Sequence, residues 1–351
     1  MSNQDRTLDH YQELMTINAT SHILRAARQI GLFDQLAEGQ KTVETLAENL
    51  KIPQPRVFML IQSLIAVGII EQYQEDYALS STARLLCQYD ADLGDSTWNG
   101  LADSLRRSPA DPSADETTPN DSAITGQLQK RFDAIAATQW VHTPAAMQVA
   151  EILDLGSTPP DPIEVENNQA SSAEPTREPI ELLDFGCGSA VWSCAMAFRE
   201  PAMRVTAIDN QAALAAATTT ATSIGLSERF ETRVGDVPGV TLPDATYDMI
   251  VIAQRLHAFP ASLVRQMLDT TFASLKTGGR LIVIDSFRGP HQPMLAESLE
   301  ALRMEIQTDK GEIPELPVAE QRMKDAGYEN IQFTFIAASR TGLGMMIGTK
   351  S

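Results

Sequence analysis

The stretch IELLDFGCGSAVW, residues 180–192, with the apolar run RVTAID at 204–209 behind it, decides the fold. Mostly apolar residues lead into Gly186-x-Gly188, and a helix-like segment begins near Val191. An apolar run that ends in a glycine turn reads as a strand buried on both faces, as in parallel sheets covered by helices. The pattern then repeats. RFETRV (229–234), YDMIVIA (247–253) and RLIVID (280–285) read as further strands. VWSCAMAFR (191–199), QAALAAATTTATSIG (211–225) and SLVRQMLDTTFASLK (262–276) read as the helices between them. The expected class is α/β, with a Rossmann-like, doubly wound parallel sheet whose ligand lies outside the carboxyl ends of the strands.

Upstream the pattern is mainly helical. INATSHILRAARQIGLFDQLAEG (17–39) has helical spacing, TVETLAENL (42–50) starts on Thr42 as an N-cap, and QPRVFMLIQSLIAVG (54–68) stops at Gly68. IIEQYQEDYALS (69–80) alternates around a polar turn, so the whole resembles a winged helix-turn-helix. DNA is a poor partner for it. Residues 1–87 hold seven Lys/Arg against ten Asp/Glu, and the third helix carries Arg56 as its only basic residue, whereas a groove reader needs several phosphate contacts. A protein interface suits so apolar a helix better. RRSPADPSADETTPNDSA (106–123) and GSTPPDPIEVENNQASSAEPTREP (156–179) read as acidic spacers on either side of a helical segment, 124–153. The expected divisions are 1–100, 101–179 and 180–351.

Bulk properties narrow the function. The 351 residues suffice for two cores, and the formal charge of −19 disfavours nucleic acid and anionic membranes. The opening lacks a signal-like apolar run, and the longest apolar stretch, VFMLIQSLIAVGII, is too short to span a bilayer. A cytoplasmic location is expected. Three cysteines and five histidines fit no zinc spacing, so no metal is expected.

The strand ends offer Asp184, Gly186 and Gly188, then Asp209, then Gly235 and Asp236, then Gln254 and His257, then Asp285. So many carboxylates make a poor cradle for phosphates. A dinucleotide turn would also need a third glycine where Val191 stands. An adenosine with a cationic, phosphate-free tail fits better, with Asp209 for the ribose diol, Asp236 for the adenine and Asp184 near the cationic tail. Taken singly, Asp209 and Asp236 are equally good as helix N-caps.

DFGCGSA (184–190) resembles the D/E-x-G-x-G-x-G loop of class I S-adenosylmethionine-dependent methyltransferases, with Ala190 at the last glycine. With the N-terminal pattern, and with GDVPGVTLPDATYDMIVIAQRLHAF (235–259), the chain is similar to the O-methyltransferases that carry an N-terminal winged-helix dimerisation domain, such as the caffeic acid, acetylserotonin and hydroxyneurosporene enzymes. The resemblance implies S-adenosylmethionine as cofactor, S-adenosylhomocysteine as product, a small hydroxyl acceptor and a homodimer. It places the cofactor on Asp184, Gly186, Cys187, Gly188, Asp209, Asn210, Gly235, Asp236, Val237 and Gln254. It makes His257 the general base, oriented by Asp285 or by Glu312, with Glu315 as the alternative to Glu312. The family's LHDW is LHAF here, with Ala258 and Phe259. That departure keeps open a cofactor-binding relative with decarboxylase or hydroxylase activity, and a winged-helix regulator is the third reading.

Overall fold

The computed structural model describes residues 6–89, 98–106, 139, 141–156, 178–235, 237–289, 294–307 and 311–351. The spacers at 107–123 and 157–177, and much of the helix expected over 124–153, lie outside the described residues. The chain divides into two compact units, residues 1–98 and 99–351.

The first unit runs α1 (Thr7–Gln29), α2 (Leu32–Ala37), β1 (Lys41–Thr42), α3 (Val43–Leu50), α4 (Gln54–Ala66), β2 (Ile70–Tyr73), β3 (Asp76–Leu79) and α5 (Ser81–Tyr89). Thr42 caps α3 as its sequence position requires, its hydroxyl accepting from Thr45 N at 3.3 Å. Helix α4 buries Val57, Ile61 and Leu64, one face at helical spacing, over the core made with Leu32, Leu46 and Ile70. The hairpin β2–β3 takes β1 as a third antiparallel strand in the order β1-β3-β2.

The second unit contains α6 (Leu101–Arg106), α7 (residues 141–152), β4 (Ile180–Phe185), α8 (Val191–Arg199), β5 (Met203–Asp209), α9 (Gln211–Ser223), β6 (Phe230–Val234), β7 (Tyr247–Ala253), α10 (Ala261–Ser274), β8 (Leu275–Asp285), α11 (Leu295–Gln307), α12 (Leu316–Asp325), β9 (Glu329–Phe335) and β10 (Gly344–Thr349). Its seven strands lie in the order β6-β5-β4-β7-β8-β10-β9. The first five are parallel. The all-parallel expectation is corrected at the end of the chain, where β10 runs antiparallel between β8 and β9. The short connection at 336–343 has no room for a crossover helix, so the chain can only return antiparallel.

Alternate strand residues feed two apolar layers. Leu182, Ala207, Val251 and Ile284 pack on one face with α7, α8 and α9. Leu183, Phe185, Ile208, Ile250 and Val283 pack on the other with α10 and α12. Strand order reverses between β4 and β7, so the connections after these strands leave in opposite directions and open a crevice there.

Candidate functional site

The turn after β4 forms one wall of the crevice. Gly186 and Gly188 have φ of 87° and 53°, the left-handed region that glycine enters without strain. The turn is pinned to β5, since Gly186 N and Cys187 N both donate to Ile208 O, at 2.9 and 3.2 Å. Gly188 N donates to Asp209 Oδ2 at 3.0 Å. Asp209 Oδ1 accepts from Asn210 N and Asn210 Nδ2 at 2.7 and 2.8 Å. Asn210, not Asp209, is the N-cap of α9, accepting from Ala212 N and Ala213 N. That leaves the Asp209 carboxylate, 2% exposed as a residue, on the cavity side of the turn.

The cavity, about 280 Å³, is lined by Gly186, Cys187, Gly188, Trp192, Asp209, Asn210 and Gln254 together with Arg255, His257, Glu300 and Arg303. His257 in this lining is buried, and its Nδ1 is in hydrogen-bond contact with Asp285 Oδ1 while its backbone N donates to Asp285 Oδ2 at 3.3 Å. Burial pulls the imidazole pKa down, but the charge and hydrogen bond of Asp285, helped by Glu300 and opposed by Arg303, leave it above its ordinary value. His142 of α7 stacks on the lining residue Trp192 with ring centroids 5.7 Å apart, and burial lowers its pKa.

Comparison with known proteins now bears on this geometry. Residues 182–279 match the family model described as a methyltransferase domain. The matched span holds the glycine turn and strands β5, β6 and β7. It is 22% identical over 309 residues to the N,N-dimethyltransferase OxyT of Streptomyces rimosus, covering 83% of this chain and 81% of that one. Human N-acetylserotonin methyltransferase, solved with S-adenosylmethionine, matches the fold at a TM-score of 0.69 and 18% identity over 100% of this chain and 99% of that chain. The mitomycin 7-O-methyltransferase MmcR matches at 0.70 and 18% over 98% of each. These likenesses bear on the fold, a mixed α/β sheet preceded in sequence by an N-terminal helical unit.

Several residues expected to hold the ligand lie elsewhere. Asp184 does not line the cavity. Strand β4 continues through Phe185, so the Asp184 side chain points into the layer under α8, where Ser193 Oγ donates to it. Burial, with the Asp209 charge adding and the Ser193 bond opposing, raises its pKa from 3.8 to about 7. A carboxyl in that state is a weak counter-charge for a cationic ligand. Gly235 N is tied to Asp209 O at 3.1 Å, and Val237 is 1% exposed within the core beside Ile208, so neither faces the cavity. Asp236 lies outside the described residues. Glu312 is engaged by Arg322 Nη2, whereas the imidazole contact is made by Asp285. Glu315 is the N-cap residue of α12.

Three charged lining residues escaped the sequence reading. Arg255 lies over Gly186, with its Cγ 3.1 Å from where a Gly186 Cβ would sit, and its Nη2 is 3.9 Å from Asp209 Oδ1. Its guanidinium also rests 5.4 Å from the Phe259 ring centroid, and its buried Nε has no hydrogen-bond partner among the described residues. Glu300 and Arg303 come from α11, far along the chain from the glycine turn. Arg255 was visible as the one basic residue in AQRLHAF. Nothing in the sequence marks Glu300 or Arg303 among the charges of their helix.

Proposed function

We propose that this methyltransferase transfers the methyl group of S-adenosylmethionine to a hydroxyl of a small aromatic or polyketide-like compound, with His257 as general base. The contact between His257 and Asp285, set beside the glycine-turn cavity, is the observation that carries this reading. Asp209, Asn210, the Gly186–Gly188 turn and Gln254 would hold the nucleoside part of the cofactor. Arg255, with an unpartnered buried Nε, would take the carboxylate of its amino-acid tail. When bound, the cofactor supplies an electrophilic methyl group on a sulfonium.

The chain's own contribution is orientation and proton transfer. With Nδ1–H given to Asp285, His257 keeps the Nε2 lone pair for an acceptor hydroxyl, and Asp285 stabilises the imidazolium that results. Asp285 and the backbone bond from His257 N hold the ring in place, so little freedom is lost when the acceptor docks. General-base assistance of this kind is worth about 10²–10⁴-fold. Transfer of labelled methyl from the cofactor to a panel of phenols tests the reading, and His257→Ala should lower turnover on a true acceptor within that range. Near-normal turnover in the variant would remove His257 as base.

OxyT favours a second reading, an amine acceptor. A neutral amine attacks with its own lone pair and sheds its proton afterwards, so it needs the base less. Amines that out-compete matched phenols, with turnover insensitive to His257→Ala, would select this reading.

We also propose a homodimer through the first unit. Leu8, Tyr11, Leu14, Met15 and Ile17 of α1 are all at least half exposed, and Ala27 is that helix's buried residue. An apolar stripe of this length is the kind of surface that a second copy covers isologously. Sedimentation showing a monomer at micromolar concentration would sink the proposal.

A further inference from the structure

Helix α11 delivers two opposite charges to the cavity that His257 lines. Glu300 and Arg303 are three residues apart and therefore share a helix face. The fork is bidentate, with Arg303 Nε donating to Glu300 Oε2 at 2.8 Å and Nη2 donating to Oε1. On an open surface such a pair is worth about 0–1 kcal/mol and has no further consequence. Here the side chains are 26% and 36% exposed, and they line a cavity that the buried His257 also lines.

We propose that Glu300 and Arg303 are a positioning pair for His257, the carboxylate stabilising its imidazolium and the guanidinium limiting that stabilisation. The proposal rests on the base role given to His257 above. The charges around that ring come from several elements. Asp285 at the end of β8 contacts Nδ1, Arg255 and Asp209 line the same cavity, and the Glu312–Arg322 pair borders the small cavity on the ring's other side. Asp285 holds the ring directly, and Glu312 with its partner Arg322 lines the other cavity. Glu300 puts a further carboxylate on the cavity that the imidazole lines, and Arg303, on the same helix face, acts against it with opposite sign. Arg303 therefore opposes the imidazolium that Asp285 and Glu300 favour.

The test is a histidine NMR titration that needs no acceptor. The His257 imidazole signal is assigned by its loss in His257→Gln, and its midpoint is followed in the full chain. Glu300→Gln should lower the midpoint and Arg303→Met should raise it, each by about 0.3–1 pH unit. The double variant should return close to wild type. His142 is an internal control, because loss of Glu300 should lower its midpoint as well. Should Glu300→Gln not fold, Glu300→Asp, which keeps the charge, is compared with Arg303→Met, and only the latter should shift. Displacements of the same sign in the two variants, or none in folded protein, would overturn the positioning pair. If the NMR midpoints separate as stated while the acid limb of kcat/KM stays still in every variant, the pair stands and the base reading fails.

Discussion

Replacing Asp184 with asparagine should make stability less sensitive to pH. In the folded chain this carboxyl has its pKa raised from an ordinary 3.8 to about 7, because it is buried, with the Asp209 charge adding to the effect. A group that binds its proton more tightly when folded stabilises the fold fully below its unfolded value, and that stabilisation is lost as pH rises toward 7. The displacement, about 3 pH units, amounts to about 4 kcal/mol in all. About 2–3 kcal/mol of it falls between pH 5 and pH 8. Asparagine keeps an acceptor for the Ser193 hydroxyl and carries no charge. Urea unfolding at the two pH values should therefore show the wild-type free energy falling about 2–3 kcal/mol more than that of the variant. Parallel pH dependences in the two proteins would show that the side chain is not held as a buried acid, and the placement of Asp184 beneath the turn would be wrong.

Four further outcomes follow from the site. Arg255→Met should weaken S-adenosylhomocysteine about tenfold or more and leave 5′-methylthioadenosine, which lacks the carboxylate, unchanged. Equal losses for both ligands would place Arg255 on the nucleoside instead. The acid limb of kcat/KM should lie above about pH 6.5, the ordinary histidine value, since the raised His257 must be neutral to act and activity grows as pH climbs through its pKa; a limb well below that would contradict it. Asp285→Asn should cost about 10-fold or more in kcat with little change in cofactor affinity, as read by steady-state kinetics and calorimetry. A double replacement of Leu14 and Ile17 by lysine should shift sedimentation toward monomer, and an unchanged dimer would move the interface elsewhere.

The sheet was legible where burial on both faces leaves no choice of pattern. Strands β4 and β7 coincide with their mostly apolar runs to the residue, because a strand covered by helices on each side favours apolar residues on both of its faces. The same rule fails at the chain end. Strand β9 is an edge strand with a half-exposed pattern, and β10 contains Gly344 and Gly348, so neither presents a continuous apolar run. The glycine turn, Asp209 and His257 were legible because local geometry puts the residue after a parallel strand at the ligand end. Asp184 misled for the same reason, since one residue more of strand turned its side chain inward. Partners brought together only by tertiary packing could not be read. Glu300 reaches His257's surroundings from another helix, and the Arg322 that draws Glu312 away sits ten residues along the chain.

The most direct measurement is a calorimetric titration of the purified protein with S-adenosylmethionine and S-adenosylhomocysteine, with NAD as control, repeated in Asp209→Ala. Asp209 supports the glycine turn and faces the cavity, so both adenosyl ligands should bind the wild-type protein and lose that binding in the variant, while NAD gives no heat. Binding of NAD with no response to either adenosyl ligand would contradict the account and return the turn to a dinucleotide role.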